Sequence, residues 1–124
     1  MTLERGTVVL LSLDPTRGQE QRGVRPAVVV SDPEVVDDQR YPLVAVVPLT
    51  RTPGRGALYP ALAPGPSGLV AQSYALLDQV RSVDKRRVRS VFGQISPDEL
   101  RAVDEGLSLF LGLPLPSGPE SLQP

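Results

Sequence analysis

The chain has 124 residues, a formal net charge of −1, no Cys and no His. A length of this order makes one domain, able to bury roughly two-thirds of the surface its unfolded chain exposes. The missing residue types exclude disulfides, thiolate nucleophiles, Cys-ligated zinc, Ser-His-Asp triads and paired-His acid–base chemistry. Catalysis would have to come from Arg, carboxylates, hydroxyls, Tyr or Lys85, or from a metal held by carboxylates alone. Of the 13 basic residues, 12 are Arg and only Lys85 is Lys. Arg suits bidentate contact with phosphate, but the near-neutral charge means that any attraction for nucleic acid must be local.

Taken in chain order, Thr7–Leu13 is apolar and rich in β-branched residues. The run Asp14-Pro15-Thr16-Arg17-Gly18 stops it, so it reads as a strand entering a loop. Ala27–Ser31 is a Val-rich strand between Pro26 and Asp32-Pro33. The acidic stretch Asp32–Asp38 reads as a solvated loop. Leu43–Leu49 is a further strand, ended by Arg51-Thr52-Pro53-Gly54. Gly56–Tyr59 and Ser67–Ala71 are weaker strand candidates, Ser73–Val83 is a longer extended segment, and Arg89–Gln94 is a short strand. One helix is strongly signalled. Ser96-Pro97-Asp98-Glu99 supplies an N-cap, a Pro at the first helical position and a Glu three residues after the cap. Leu100, Val103, Leu107, Phe110 and Leu111 then share one face, and Gly112 with Pro114 stops it.

Short strands followed by one terminal helix predict a mainly β, strongly curved antiparallel barrel. The domain is expected over 1–113, with a disordered tail over 114–124. Both faces of Val8–Leu11 and of Ala27–Val30 are apolar, where a half-buried strand alternates. The helix is expected to cover part of that surface and a second copy of the chain the rest.

The polar candidates lie in loops at strand ends, where binding groups usually sit. Arg25 precedes Pro26, which biases it to extended backbone, and a rigid strand follows. Thr50 stands in the same relation to the end of Leu43–Leu49. A guanidinium and a hydroxyl held together suit a phosphodiester, because the cation neutralises charge building on the phosphoryl oxygens. Read singly, Arg25 is as well explained by an ion pair to Asp14 or Glu20, and Lys85-Arg86-Arg87 by a solvated face.

Together these segments carry a resemblance. The sequence Arg5-Gly6-Thr7-Val8-Val9, the run Asp14 to Gln21, Arg25-Pro26-Ala27-Val28-Val29-Val30-Ser31, Val47-Pro48-Leu49-Thr50 and Ser73 to Val88 resemble, in order, the MazF/PemK family of toxins. The match spans about residues 4 to 112. It implies an SH3-like barrel of the PemK/CcdB type, a homodimer, and cleavage of single-stranded RNA without a metal or other cofactor. By the resemblance Arg25 and Thr50 are catalytic, and Glu20 and Gln79 lie near the RNA path. The implied reaction is attack by the ribose 2′-hydroxyl on the adjacent phosphate, leaving a 2′,3′-cyclic phosphate and a 5′-hydroxyl. Arg is protonated at any working pH, so Arg25 is assigned to phosphate binding and charge stabilisation. Glu20 is a candidate proton acceptor, and the identity of the general base stays open. Arg22, Arg51, Arg81 and Arg86 are candidate RNA-binding side chains beside Gln79. The loops Asp32–Tyr41 and Arg51–Pro66 are where base preference is expected to reside.

A MazE-like antitoxin is the implied protein partner, its disordered tail filling an Arg-lined cleft. No segment approaches the ~20 apolar residues of a membrane span, and Met1-Thr2-Leu3-Glu4-Arg5 lacks the layout of a signal peptide. A cytoplasmic location is expected. Two other readings of the same fold compete: a topoisomerase poison similar to CcdB, and a silent barrel that binds RNA or protein without cutting.

Overall fold

A computed structural model describes residues 3–12 and 23–115. Among these residues seven strands are formed: β1 (Thr7–Ser12), β2 (Val24–Val29), β3 (Leu43–Thr50), β4 (Ala61–Leu62), β5 (Ser73–Ala75), β6 (Arg81–Asp84) and β7 (Val88–Gln94). Two α-helices accompany them, α1 (Pro33–Asp37) and α2 (Pro97–Leu111), with single 3-10 turns at Leu77–Gln79 and Lys85–Arg87. All pairings are antiparallel and run in the order β4-β5-β3-β2-β1-β7, with β6 also on β3. The sheet curls into a half-barrel, closed on one side by α2, as the mainly β expectation with a C-terminal helix requires.

The extended segment expected over Ser73–Val83 is real but broken. Its first part, β5, pairs with Leu49 and Thr50 at one end of β3, and β6 pairs with Leu43–Val46 at the other. Both run antiparallel to β3, and the 3-10 turn between them takes up the shift of register and buries Leu77. Gly56–Tyr59 and Ser67–Ala71 are not strands; the chain there makes turns, and the short β4 lies between them. Asp32–Asp38 is corrected from a loop to one helical turn. Asp32 caps it by accepting from the Glu34 N–H at 2.8 Å, with Pro33 in the first turn. This is the same cap-then-Pro signal that marks α2. The far end of α1 is held by Lys85, whose Nζ donates to the carbonyls of Val35 at 2.7 Å and Asp38 at 3.1 Å. Lys85 is thus a tertiary helix cap.

Helix α2 begins in the expected capping box: Glu99 N–H donates to Ser96 Oγ at 3.1 Å, and Ser96 N–H to Glu99 Oε1 at 2.9 Å. The other Glu99 oxygen accepts from Ala63 N–H at 2.7 Å, tying the loop before β5 to the helix. Arg5 clamps the opposite side, with both terminal nitrogens on the Asp104 carboxylate and Nε on the Val30 carbonyl. Helix α2 and the loop before β4 touch closely at Gly106, where an added Cβ would lie 2.5 Å from the Ala57 carbonyl oxygen.

Both faces of the central strands are buried, but within one chain. Val8, Val28, Val47, Leu49, Leu77, Val103 and Leu107 form a core under α2. On the other face Leu3, Val9, Leu11, Ala27, Val29, Val46, Val83 and Val88 form a second core, edged by Val36 of α1. The curl of the sheet brings β6 and the start of β7 over this face. The doubly apolar strands therefore require no second copy to cover them. Of the tail expected over 114–124, residues 116–124 lie outside the described residues.

Candidate functional site

The site is created by a break in a ladder. Gly6 N–H donates to the Val29 carbonyl at 2.8 Å, and Val30 N–H donates to the Ala45 carbonyl at 3.0 Å. By the antiparallel alternation, odd residues of β2 turn their backbone groups to β1 and even residues to β3. Arg25 is therefore held to Leu11 of β1, its register partner. Pro26 falls where β3 needs a donor, and it has none. The β2–β3 register accordingly stops at Ala27–Pro48. Continued two residues further, the same register sets Arg25 opposite Thr50.

Beyond that stop the strands bound an open cleft of about 660 Å³, lined by Arg25, Pro26, Leu49, Thr50 and Arg51 on one side. Its other wall is the segment Gly68–Ala71, with Ser73 and Phe92. Arg25 is exposed and makes no hydrogen bond or ion pair with any described residue. Asp14 and Glu20, the candidate partners of an ion pair, lie outside the described residues. Thr50 Oγ1 accepts from Thr52 N–H at 3.1 Å, which turns the chain and leaves its own proton to give away. The loop that follows is pinned at Tyr59, whose hydroxyl donates to Asp78 Oδ2 at 2.5 Å. That bond to the carboxylate is the main reason the Tyr59 phenol is raised above its ordinary value. The second Asp78 oxygen is buried with no partner among the described residues.

Of the other sequence candidates among the described residues, the cleft takes in Arg51 and leaves out Gln79, Arg81 and Arg86. Glu20 and Arg22 lie outside the described residues. Gln79 ends a 3-10 turn, exposed, and does not line the cleft. Arg81 pairs with Val46, four residues along β3 from Thr50 and so about 13 Å away. Arg86 is turned back onto Asp84, with two side-chain hydrogen bonds of 3.0 Å. This bond, then the Arg86 backbone N–H, holds the Asp84 carboxyl down at about 2. Of the two loops expected to read bases, Arg51–Pro66 contributes Arg51, whereas Asp32–Tyr41 frames a separate depression with Arg40 and Tyr41. The wall formed by Gly68–Ala71 and Phe92 was not anticipated from sequence.

Among the described residues no group of three or more acidic side chains gathers as a metal site would need, and no helix is long and apolar enough to cross a membrane.

Comparison with known proteins agrees with this fold. The MazE–MazF complex of Deinococcus radiodurans (form II) aligns with a TM-score of 0.76 at 28% identity, over 92% of this chain and 99% of the other. MazF of the same organism (form I) gives 0.68 at 28% identity, over 91% and 99%. An endoribonuclease in complex with its cognate antitoxin, from a mycobacterial species, shares the fold with a TM-score of 0.70 at 24% identity, over 91% and 98%. The family model of PemK-like, MazF-like toxins of type II toxin–antitoxin systems matches residues 4–111. With a match over nearly the whole chain and the same curled sheet and terminal helix, the protein belongs to the PemK-like, MazF-like toxin family.

Proposed function

We propose that this chain is an endoribonuclease toxin that cuts single-stranded RNA at short recognition sequences, in the cleft between Arg25 and Phe92. The observation that carries the reading is that Arg25 and Thr50 line one cleft, just beyond the Ala27–Pro48 pair where the β2–β3 pairing stops. A phosphodiester seated there would meet a guanidinium from one strand and a hydroxyl from the other. The ribose 2′-hydroxyl attacks the adjacent phosphorus, the bond to the 5′-oxygen breaks, and the products are a 2′,3′-cyclic phosphate and a 5′-hydroxyl. Arg25 stabilises the charge that develops on the phosphoryl oxygens, and Thr50 adds a directed hydrogen bond. Glu20 is the proposed proton acceptor. An internal nucleophile requires no metal for its generation, so the reaction proceeds in a chelator.

Arg51 extends the cationic side of the cleft, and Arg22, Gln79, Arg81 and Arg86 are assigned to the RNA path beyond it. The family resemblance supports a homodimer. The exposed apolar run at the end of α2, Leu109, Phe110 and Leu111 with Leu113, offers it a surface. A MazE-like antitoxin is the proposed inhibitor, as in the Deinococcus complex, with action in the cytoplasm. The test is a long single-stranded RNA incubated with the protein in EDTA. Discrete fragments with cyclic phosphate ends support the reading, and an intact RNA refutes it.

A further inference from the structure

The far wall of the cleft is built with more care than a mere boundary needs. In the β1–β7 pairing Val8 faces Gly93 and Val9 faces Val91, so Phe92 is the extra residue of a β-bulge. Bulges of this kind re-aim a side chain and recur beside active sites. Here the bulged Phe92 lines the cleft and is 41% exposed.

The neighbouring loop is laid flush against it. Gly68 adopts φ +80, and a Cβ there would lie 2.7 Å from the Phe92 Cβ. At Gly93 an added Cβ would lie 2.7 Å from the Ser67 carbonyl carbon. Ser67 is buried, donating to the Ala63 carbonyl at 2.7 Å and accepting from Leu69 N–H at 3.2 Å. The Gln94 N–H closes the seam onto the Pro66 carbonyl at 3.1 Å. Held in this way, Val70 stands beside the cleft 82% exposed. The result is a fixed apolar shelf that no described residue covers.

We infer that Phe92, flanked by Val70, is the platform on which one unstacked RNA base rests next to the scissile phosphate; the inference builds on the ribonuclease reading above. The phosphate-binding groups, Arg25, Thr50 and Arg51, occupy the same cleft. A nucleotide offers that pairing of chemistries in one unit, an anion joined to a flat apolar ring. Stacking accepts any base, because each has a π-face, so the platform positions the strand while polar contacts elsewhere choose the sequence. Phe92 is also the aromatic residue that is available. Among the described residues Tyr59 is engaged with Asp78, Tyr74 accepts from Gln72, Tyr41 lies under Arg40, and Phe110 is on α2.

The probe is a short, mixed-sequence, single-stranded 2′-O-methyl oligonucleotide, which cannot be cleaved because its nucleophile is blocked, with a fully abasic strand of equal length as its partner. Binding is read by fluorescence anisotropy across a salt series. Phe92→Ala is expected to weaken binding of the base-bearing strand about tenfold or more, to leave the abasic strand unaffected, and to leave the salt slope unchanged. Phe92→Tyr and Phe92→Trp retain wild-type affinity, and Phe92→Leu behaves like the Ala variant. Equal losses on both strands overturn the inference, as does full binding by Phe92→Leu, which would mark an apolar groove for a peptide side chain. Conversion of a dimer to a monomer by Phe92→Ala in sedimentation would also overturn it, making the shelf a contact between copies. A wild-type protein that binds and cuts RNA while Phe92→Ala is indistinguishable from it sinks this inference alone. No affinity of the wild type for either strand sinks the ribonuclease reading with it.

Discussion

Replacing Arg25 by Ala sets two explanations of this residue against each other in one experiment. Arg25 is exposed, its backbone is held by pairing to Leu11, and its side chain bonds to no described residue. Surface changes of that kind alter stability by no more than about 0.5 kcal/mol. Removal of a preorganised group that meets developing charge costs about 10²- to 10³-fold in rate, or about 2.7–4 kcal/mol of transition-state stabilisation. The expected loss of activity therefore exceeds the expected loss of stability several-fold. The assay pairs a urea titration with initial rates of cleavage of a fluorogenic single-stranded oligonucleotide. Arg25→Lys keeps the charge but not the planar fork, and should recover only part of the rate. A folded Arg25→Ala protein that cuts at the wild-type rate would refute the catalytic assignment. A stability loss of about 2 kcal/mol or more would instead reveal a structural ion pair, with Glu20 or Asp14 as the partner.

Gly106→Ala should gain about 1 kcal/mol of helix propensity yet destabilise the protein overall by about 1–3 kcal/mol. The reason is that its Cβ would press on the Ala57 carbonyl at 2.5 Å; an unchanged or higher urea midpoint would contradict the packing. Lys85→Met removes both donors to the end of α1 and should cost about 1–2 kcal/mol. Amide exchange near residues 35–38 should speed up while RNA cleavage is unaffected, and a loss of cleavage would argue that Lys85 has a role beyond capping. The Asp84 carboxyl should titrate at about 2 rather than 3.8, because Arg86 bonds its charged form. With the folded value below the unfolded one, its stabilising contribution is complete above about pH 4 and fades as the pH falls towards 2. Carbon NMR on Arg86→Ala should show the carboxyl rising towards 3.8, and no movement would dismiss Arg86 as the cause.

Local chemistry decided much of this protein from sequence alone. The capping box at Ser96 and Glu99 starts α2 because it is satisfied within four consecutive residues. The strands β1 and β3 are legible because their apolar runs stop at the sequences Asp14-Pro15-Thr16-Arg17-Gly18 and Arg51-Thr52-Pro53-Gly54. Missing His and Cys narrowed the available chemistry before any fold was considered, and Arg25-Pro26 together with Thr50 marked the site through resemblance to a family. What tertiary structure alone decided depends on partners distant in the chain. The β2–β3 pairing stops at Ala27–Pro48, beside the missing donor of Pro26, and the cleft beyond it takes in both Arg25 and Thr50; no local pattern reports which strand a residue's N–H will face. Lys85 became a helix cap across 50 positions, and Arg86 was drawn onto Asp84 and away from the cleft. The doubly apolar strands appeared to require a second copy until the curl of the sheet covered both faces within one chain. By sequence, Phe92 and Val70 both fall in strand candidates, Arg89–Gln94 and Ser67–Ala71. Only the bulge opposite Val8 and Val9 and the two glycine contacts gave them a wall of the cleft, because close approach between distant segments is not a local property of the chain.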